Sequence, residues 1–161
     1  MSEKINKKFL FYILIFISVA LISAYVIQYK FNFIPCKLCL YERVPYFLAI
    51  FLIIQILLFR SYEKVALFLI FSIFLLSTIL GFYHFGIEQG FFEEPLTCKA
   101  GNLGETLSKD ELLEQLKRNT VSCKEVSFKI IGFSLAAINT IFSIFLSVIF
   151  LKLFINYGKN R

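Results

Sequence analysis

The sequence contains no tryptophan and one histidine among 161 residues, and charged residues make up only 17%. With 58% hydrophobic residues, against roughly 45–50% in globular domains, the chain is neither disordered nor typical of a soluble protein. Without tryptophan, an aromatic belt at a membrane surface has to come from the eight tyrosines. The scarcity of charge therefore predicts a membrane protein.

Four long blocks are almost free of charged residues, at 9–27, 42–59, 65–85 and 130–154. A helix needs about 20 such residues to cross a bilayer, and in lipid the backbone must satisfy its own hydrogen bonds. The alternating pattern of a membrane barrel is absent from the sequence. The first block is too long for a signal-peptide core, and three more follow it. We predict an all-α membrane protein, a single bundle of four transmembrane helices.

Four crossings place both termini on one face of the membrane, and the loops 28–41 and 86–129 on the other. The basic residues of the terminal face lie in short flanks of the spans, which predicts cytoplasmic termini. Anionic lipid is a sufficient partner for the net charge of +6, so no nucleic-acid partner is predicted. In the long loop, the capping-box spacing of Ser108 and Glu111 predicts a short amphipathic helix over 108–119. A solvated spacer helix is an equally good interpretation of that segment.

The four cysteines all fall in the two loops of one predicted face, at Cys36, Cys39, Cys98 and Cys123. Four cysteines allow three pairings, and the C-x-x-C of Cys36 and Cys39 makes that pair, with Cys98 joined to Cys123, the natural partition. Two intervening residues let the sulfurs close a small ring that opens easily. One thiolate can then attack a disulfide while the other resolves the mixed species, so redox chemistry is the strongest option.

Three other interpretations of the cysteines stay open. The first is that they are ligands of zinc, although Cys98 and Cys123 are 25 residues apart, unlike the second half of a zinc ribbon. The second is that they form two structural disulfides, although a ring as small as that of C-x-x-C stabilises a chain little. Attachment of a c-type haem requires C-x-x-C-H, and here Leu40 follows Cys39.

Two candidate ligand-binding residues lie near the C-x-x-C pair. Arg43 follows Cys39 by four residues, and its permanent charge can stabilise a thiolate or an anionic ligand oxygen. Pro45 favours a helix that begins later, which would place Arg43 in a turn. His84 ends the third block, with Gly86 positioned as a helix terminator. It can donate a proton to a carbonyl ligand, or serve only as an interfacial aromatic that caps the helix.

Three motifs carry a resemblance to a known family. The first is Pro35-Cys36-Lys37-Leu38-Cys39-Leu40-Tyr41-Glu42-Arg43; the others are Tyr83-His84, and Cys123-Lys124-Glu125 followed by Phe128 and Gly132-Phe133-Ser134-Leu135-Ala136. Together with the four spans, the order of the cysteines and the lengths between them, these motifs resemble the DsbB family of membrane disulfide-bond oxidoreductases. The resemblance covers nearly the whole chain.

The resemblance implies an enzyme of the bacterial inner membrane, a thiol:quinone oxidoreductase with its cysteines in the periplasm. A DsbA-like thioredoxin-fold protein would attack the Cys98–Cys123 disulfide at Cys98. The electrons would pass to the Cys36–Cys39 pair and from there to the membrane quinone pool, as ubiquinone or menaquinone.

The same resemblance implies that Arg43 and His84 bind the quinone, and that no metal is needed. Glu42 receives no role beyond pairing with Arg43. Two alternatives remain: a non-enzymatic membrane subunit with structural disulfides or zinc, and an oxidase of the same family that serves one dedicated substrate.

Overall fold

The computed structural model describes residues 6–59, 62–95, 98, 122–124, 129–130 and 132–159. Its helices are α1 (Lys7–Lys30), α2 (Lys37–Tyr41), α3 (Val44–Leu58), α4 (Glu63–Glu88) and α5 (Leu135–Lys159), and strands β1 (Lys129–Ile130) and β2 (Phe133–Ser134) pair antiparallel before α5. Four helical segments are long and apolar enough to cross a membrane: α1, α2 with α3, α4, and α5. The predicted four-helix membrane fold is confirmed. The amphipathic helix predicted over 108–119 lies outside the described residues.

Each helix turns one apolar face toward a shared core. Buried residues recur at spacings of three and four, which keeps them on one side of a helix. They are Leu10, Ile13, Ile17 and Leu21 of α1, Tyr46, Ala49, Ile53 and Ile56 of α3, Ala66, Leu67, Ile70 and Phe74 of α4, and Leu146 and Phe150 of α5. Large apolar side chains on the other faces are exposed, as a surface in contact with lipid requires.

The most extensive packing in the described part of the chain is between α4 and α5. Small residues let these two helices approach closely, as is usual between membrane helices. The hydroxyls of Ser77 and Ser143 are 3.0 Å apart in a hydrogen bond across the interface. A Cβ atom on Gly81 would lie 2.7 Å from Oγ1 of Thr140, so only glycine fits without a shift.

The second predicted span, 42–59, is broken near its start. α2 ends at Tyr41, Glu42 and Arg43 form a turn, and α3 begins at Val44 with Pro45 in its first turn. Proline has no N–H to donate back to the preceding turn, so the helical hydrogen-bond pattern is interrupted there. The sequence expectation that Arg43 sits in a turn is therefore confirmed.

The helix of the third predicted span, α4, continues to Glu88, beyond the predicted end at residue 85. It closes in a Schellman motif: Phe91 N–H donates to the Gly86 carbonyl at 2.8 Å, and Gly90 N–H to the Ile87 carbonyl at 3.0 Å. The terminating residue is Gly90, with φ of +79°, so the expectation that Gly86 ends the helix is wrong. Gly86 lies inside α4, where a Cβ atom would collide with the Phe92 ring.

The helix of the fourth predicted span, α5, starts at Leu135, later than the predicted span boundary at 130. The hairpin before it turns at Gly132, which has φ of +85°. Oγ of Ser134 then accepts a hydrogen bond from Ala137 N–H at 3.2 Å, which caps the new helix. The ends of α1 and α4 and the starts of α2 and α5 consequently share one end of the bundle, where the cysteines lie.

Candidate active site

Cys36 and Cys39 are free thiols at the start of α2. Cys36 is the N-cap, so its Sγ accepts a hydrogen bond from Cys39 N–H at 3.3 Å. The two sulfurs are 2.9 Å apart, within reach of a thiol hydrogen bond. The C-x-x-C spacing therefore brings both sulfurs together through the first turn of the helix, in a position from which a disulfide can form.

His84 joins this pair to a buried carboxylate. Its Nε2 lies 3.4 Å from Cys36 Sγ, and its Nδ1 lies 2.8 Å from Oε1 of Glu42. The imidazole is only 2% exposed, and Glu42 is 6% exposed. The ion pair expected between Glu42 and Arg43 is thus replaced by one between Glu42 and His84. Glu88, one turn after His84, is more distant, at 4.0 Å from Nε2.

Cys98 and Cys123 form a disulfide, with an S–S distance of 2.07 Å, which confirms the natural partition of the cysteines. The bridge is buried in the same apolar cluster as Cys36, together with Leu38 and Ile87. Cys39 packs against this cluster from its edge, so the second cysteine pair lies close to the C-x-x-C motif.

A cavity of about 470 Å³ lies next to Cys39. Its walls are mostly apolar side chains of α1, α3 and α5, and its polar residues include Cys39, Glu42, Arg43 and Asn139. Cys36 and His84 are not among the residues that line it. The C-x-x-C motif thus joins the two environments: Cys36 lies in the disulfide cluster, and Cys39 both packs against that cluster and borders the cavity.

Arg43 is fixed at the cavity wall by contacts from α1. One guanidinium nitrogen donates to Oε1 of Gln28 at 2.6 Å, and the guanidinium carbon lies 4.7 Å from the centre of the Tyr25 ring. A planar cation suits both contacts at once. The arginine is therefore held in the wall of the cavity that Cys39 also lines.

The family model described as disulfide bond formation protein DsbB matches residues 6–153. The chain belongs to the DsbB family. It is also 34% identical over 162 residues to a protein named "Uncharacterized protein RP370" from Rickettsia prowazekii (strain Madrid E), a match that covers 99% of this chain and 94% of the relative. No solved structure gives a significant match.

Membership of the DsbB family makes this multi-pass membrane protein a thiol oxidoreductase of disulfide bond formation. The electrostatics of Cys36 suit that chemistry. A hydrogen bond from the Cys39 thiol, the largest influence, holds the pKa of Cys36 below the usual value of a thiol. Burial opposes this shift, while the contact and charge of His84 add to it. A lowered pKa increases the fraction of thiolate, which is the nucleophile in disulfide exchange.

A metal ion is a poorer explanation of the same atoms in a DsbB-family protein. Donor atoms of Cys36, Cys39 and His84 all lie within 4.8 Å of one another. Zinc at about 2.3 Å from each of two thiolates would hold the sulfurs well beyond the 2.9 Å seen here. The arrangement of the two sulfurs therefore does not match a zinc site that uses both of them.

Sequence reasoning missed three acidic residues of this DsbB-family site. Glu42 was given no role beyond a pairing with Arg43, and Glu88 and Glu94 were given no role. The spacing of Glu88, four residues after His84, was a usable signal, since such residues share a helix face. The contact of Glu42 with His84 joins residues 42 positions apart, and no local pattern reports such a pair.

Proposed function

We infer that this protein reoxidises a DsbA-type thiol oxidase in the periplasm and passes the electrons through its two cysteine pairs to a membrane quinone. One observation carries the proposal: Cys36 is buried in the same apolar cluster as the Cys98–Cys123 disulfide, and Cys39, which packs against that cluster, also lines an apolar cavity. Electrons that arrive from the disulfide therefore have a short route to the cavity through the C-x-x-C motif.

The cavity fits a quinone. Its apolar walls suit a hydrophobic ring and tail, and Arg43 offers hydrogen-bond donors to an oxygen of the ring. When bound, a quinone supplies an acceptor for two electrons and two protons. Arg43 would hold the ring and stabilise negative charge on its oxygen, and Cys39 would face it. His84 points instead at Cys36, so its proposed part lies in protonation of the thiol pair.

Each exchange step moves one bond between sulfurs. The partner's thiolate attacks Cys98, and Cys123 leaves as a thiolate. Cys123 attacks Cys36 in the Cys36–Cys39 disulfide, and Cys39 leaves beside the cavity. The partner's second thiolate releases Cys98, which attacks Cys123 and frees Cys36. The partner has then gained a disulfide, the Cys98–Cys123 bond is restored, and Cys36 and Cys39 are the dithiol.

The redox potentials explain why a strong terminal acceptor is required. Oxidants of the DsbA type lie near −120 mV, whereas structural disulfides lie below about −300 mV. In a two-electron exchange each 30 mV corresponds to about 1.4 kcal/mol, so an ordinary disulfide would not oxidise such a partner. Removal of electrons from Cys36 and Cys39 by quinone would draw the exchange forward.

Access to Cys98 requires a local opening. Cys98 is 0% and Cys123 1% exposed, so an attacking thiolate cannot reach either sulfur in the packed arrangement. The segment that carries Cys98 therefore has to leave the apolar cluster when the partner binds. The same motion would release Cys123 for its attack on Cys36.

The test is a covalent trap in bacterial cells. In a Cys123→Ser variant, Cys98 has lost its disulfide partner, so its thiolate attacks the disulfide of the oxidised partner, and one partner sulfur leaves as a thiolate. Alkylation of the released partner thiolate with N-ethylmaleimide prevents the reverse reaction, so the mixed disulfide should accumulate. Mass spectrometry of the trapped species should identify a periplasmic thioredoxin-fold protein, and a Cys98→Ser variant, as the matched control, should trap none. A single protein of another class on Cys98 would favour the dedicated-substrate oxidase. No adduct in either variant would contradict the proposal.

A purified sample distinguishes the enzyme from a structural subunit. With quinone and a reduced DsbA-type protein, the wild-type protein should oxidise the partner, and Cys36→Ser and Cys39→Ser should each abolish turnover. Unchanged turnover in both variants would reject the scheme. Thiols that are inert to quinone, together with one bound zinc per chain, would support the non-enzymatic alternative.

A further inference from the structure

Glu42 is a buried carboxylate that takes no part in the thiol–disulfide exchange proposed above. It lies in the turn between α2 and α3, and its side chain is 8% exposed. It touches two functional regions at once: Oε1 lies 2.8 Å from Nδ1 of His84, and the residue also lines the cavity beside Arg43. A buried acid is costly unless it is paired, so its position between these regions calls for an explanation.

The position of Glu42 bears on how the thiol proton of Cys36 leaves the site. When Cys36 and Cys39 join in a disulfide, both thiol protons have to leave. Cys39 borders the cavity, but Cys36 does not, and Cys36 is only 6% exposed. Among the described residues, the polar side-chain group that contacts its sulfur, apart from Cys39, is Nε2 of His84 at 3.4 Å.

We propose that His84 and Glu42 carry the Cys36 proton to the cavity. Nε2 of His84 takes the proton from Cys36 Sγ, and Nδ1 passes the other ring proton to Oε1 of Glu42. An imidazole is suited to this because it accepts at one nitrogen and donates at the other. The carboxyl of Glu42 then presents the proton at the cavity wall, beside the cationic Arg43.

This inference rests on the proposed function, since the cavity must hold a quinone for the proton to be consumed. The balance closes: two thiols lose two electrons and two protons as the S–S bond forms, and the quinone becomes a hydroquinone. One proton leaves from Cys39 directly, and the other leaves from Cys36 through the relay. The transfer leaves the His84 proton on Nε2. In the next exchange Cys36 is freed as a thiolate and takes that proton, while Nδ1 regains one from the cavity through Glu42, so the starting state is restored.

Other charged groups face His84, and one of them is a rival acceptor. Glu88 of α4 lies 4.0 Å from Nε2, and its Oε2 is buried without a hydrogen-bond partner among the described residues. Lys129 of β1 influences Glu88 by its charge. Glu88 is not among the cavity-lining residues, so a proton placed there would not arrive where quinone is reduced. The geometry therefore favours Glu42.

The test compares Glu42→Gln with Glu42→Asp, Glu88→Gln and, as the matched control, Glu93→Gln, an exposed acid at the same end of the bundle. Glutamine keeps the size and the hydrogen-bond acceptor of Glu42, but it cannot take a proton. The first readout uses reduced, quinone-free protein: the rate at which iodoacetamide alkylates Cys36, measured by mass spectrometry across pH. The second is the rate of Cys36–Cys39 oxidation in a single turnover with a soluble quinone.

Glu42→Gln should move the alkylation profile of Cys36 to higher pH, because the anion that supports a protonated imidazole beside the thiolate is lost. It should slow the single turnover about 100-fold, the usual scale for a lost proton-transfer group. Glu42→Asp should recover part of both effects, and Glu93→Gln should match the wild type.

Three outcomes would overturn the relay while leaving the proposed function intact. One is wild-type behaviour of Glu42→Gln in both readouts. Another is slow turnover with an unmoved alkylation profile, which would place Glu42 at the quinone without a link through His84. The third is a defect in Glu88→Gln that Glu42→Gln lacks. Failure of the wild-type protein itself to reduce quinone would refute the proposed function.

Discussion

Oε1 of Glu94 accepts a 2.6 Å hydrogen bond from the backbone N–H of Cys123. The same oxygen accepts a second one from the Ser122 hydroxyl at 2.7 Å. A single carboxylate thus fixes the backbone next to the buried disulfide. Since Cys123 has to move during the exchange that we propose, this contact has to break and re-form in each cycle.

The first prediction concerns this carboxylate. Glu94→Ala should speed reduction of the Cys98–Cys123 disulfide by dithiothreitol about tenfold or more, because hydrogen bonds to charged groups contribute about 1.5–3 kcal/mol and about 1.4 kcal/mol is tenfold. Glu94→Gln keeps an acceptor oxygen and should show a smaller effect. The rate is measured by alkylation of the released thiols. Equal rates in Glu94→Ala and in the exposed neighbour variant Glu93→Ala would show that Glu94 does not restrain the segment.

The second prediction concerns Arg43. Arg43→Lys should raise the KM for quinone about tenfold, because an ammonium cannot both stack on Tyr25 and bind Gln28 as the guanidinium does. Exchange between the partner and the Cys98–Cys123 disulfide should be unaffected, since Arg43 lines the cavity and not the disulfide cluster. Steady-state kinetics at varied quinone give the KM, with the exposed Lys37→Ala as control. An unchanged KM would remove Arg43 from the quinone site.

The third prediction concerns the volume of the cavity. Ala24 lines it from α1, and Ala24→Phe should fill part of the space and raise the KM for quinone severalfold. Ile22, two residues earlier, is 60% exposed toward the surrounding lipid. Ile22→Phe adds a ring on the same helix and should leave the KM unchanged. Equal effects of the two substitutions would indicate that quinone binds elsewhere.

The fourth prediction concerns pH. The pKa of Cys36 is lowered in the folded protein, chiefly by the hydrogen bond from Cys39. The thiolate should therefore persist below the pH at which an ordinary thiol is protonated, and alkylation of Cys36 should fall only at lower pH. The matching contribution to stability of the reduced protein is present above the unfolded-state pKa and is lost as pH falls through the folded-state pKa.

Two substitutions check the cause of that shift. Cys39→Ala removes the donor and should move the alkylation profile of Cys36 to higher pH, whereas Cys39→Ser keeps a hydroxyl donor and should move it less. Identical profiles in the two variants would mean that the hydrogen bond is not the cause, and His84 would then be the dominant influence.

The sequence predicted most of the scaffold and part of the site, for different physical reasons. The transmembrane helices follow from long uncharged blocks, because lipid imposes a simple requirement on the backbone. The pairing of Cys98 with Cys123 was the natural choice once Cys36 and Cys39 had been assigned to each other as a C-x-x-C motif, because only those two cysteines remained. The hairpin before α5 was missed because the apolar block continues through it. The local signals for it are the positive φ of Gly132 and the N-terminal cap that Ser134 provides for α5.

The buried polar contacts were not predictable in the same way. Composition alone favoured an interfacial aromatic at His84, and the family resemblance implied a quinone ligand. The structure brings His84 to Cys36, 48 residues away. Glu42 has a basic neighbour in sequence, yet its partner is on another helix. Such contacts depend on how α2 and α4 pack together, and a single sequence does not report that arrangement.

The most direct test of the central claim uses a variant with serine at both Cys98 and Cys123, which leaves Cys36 and Cys39 as the sole redox pair. The reduced variant is mixed anaerobically with quinone, hydroquinone is counted per chain, and the new disulfide is mapped by mass spectrometry. Our account predicts one hydroquinone per chain and a Cys36–Cys39 bond. Unreacted quinone with both thiols intact would contradict it.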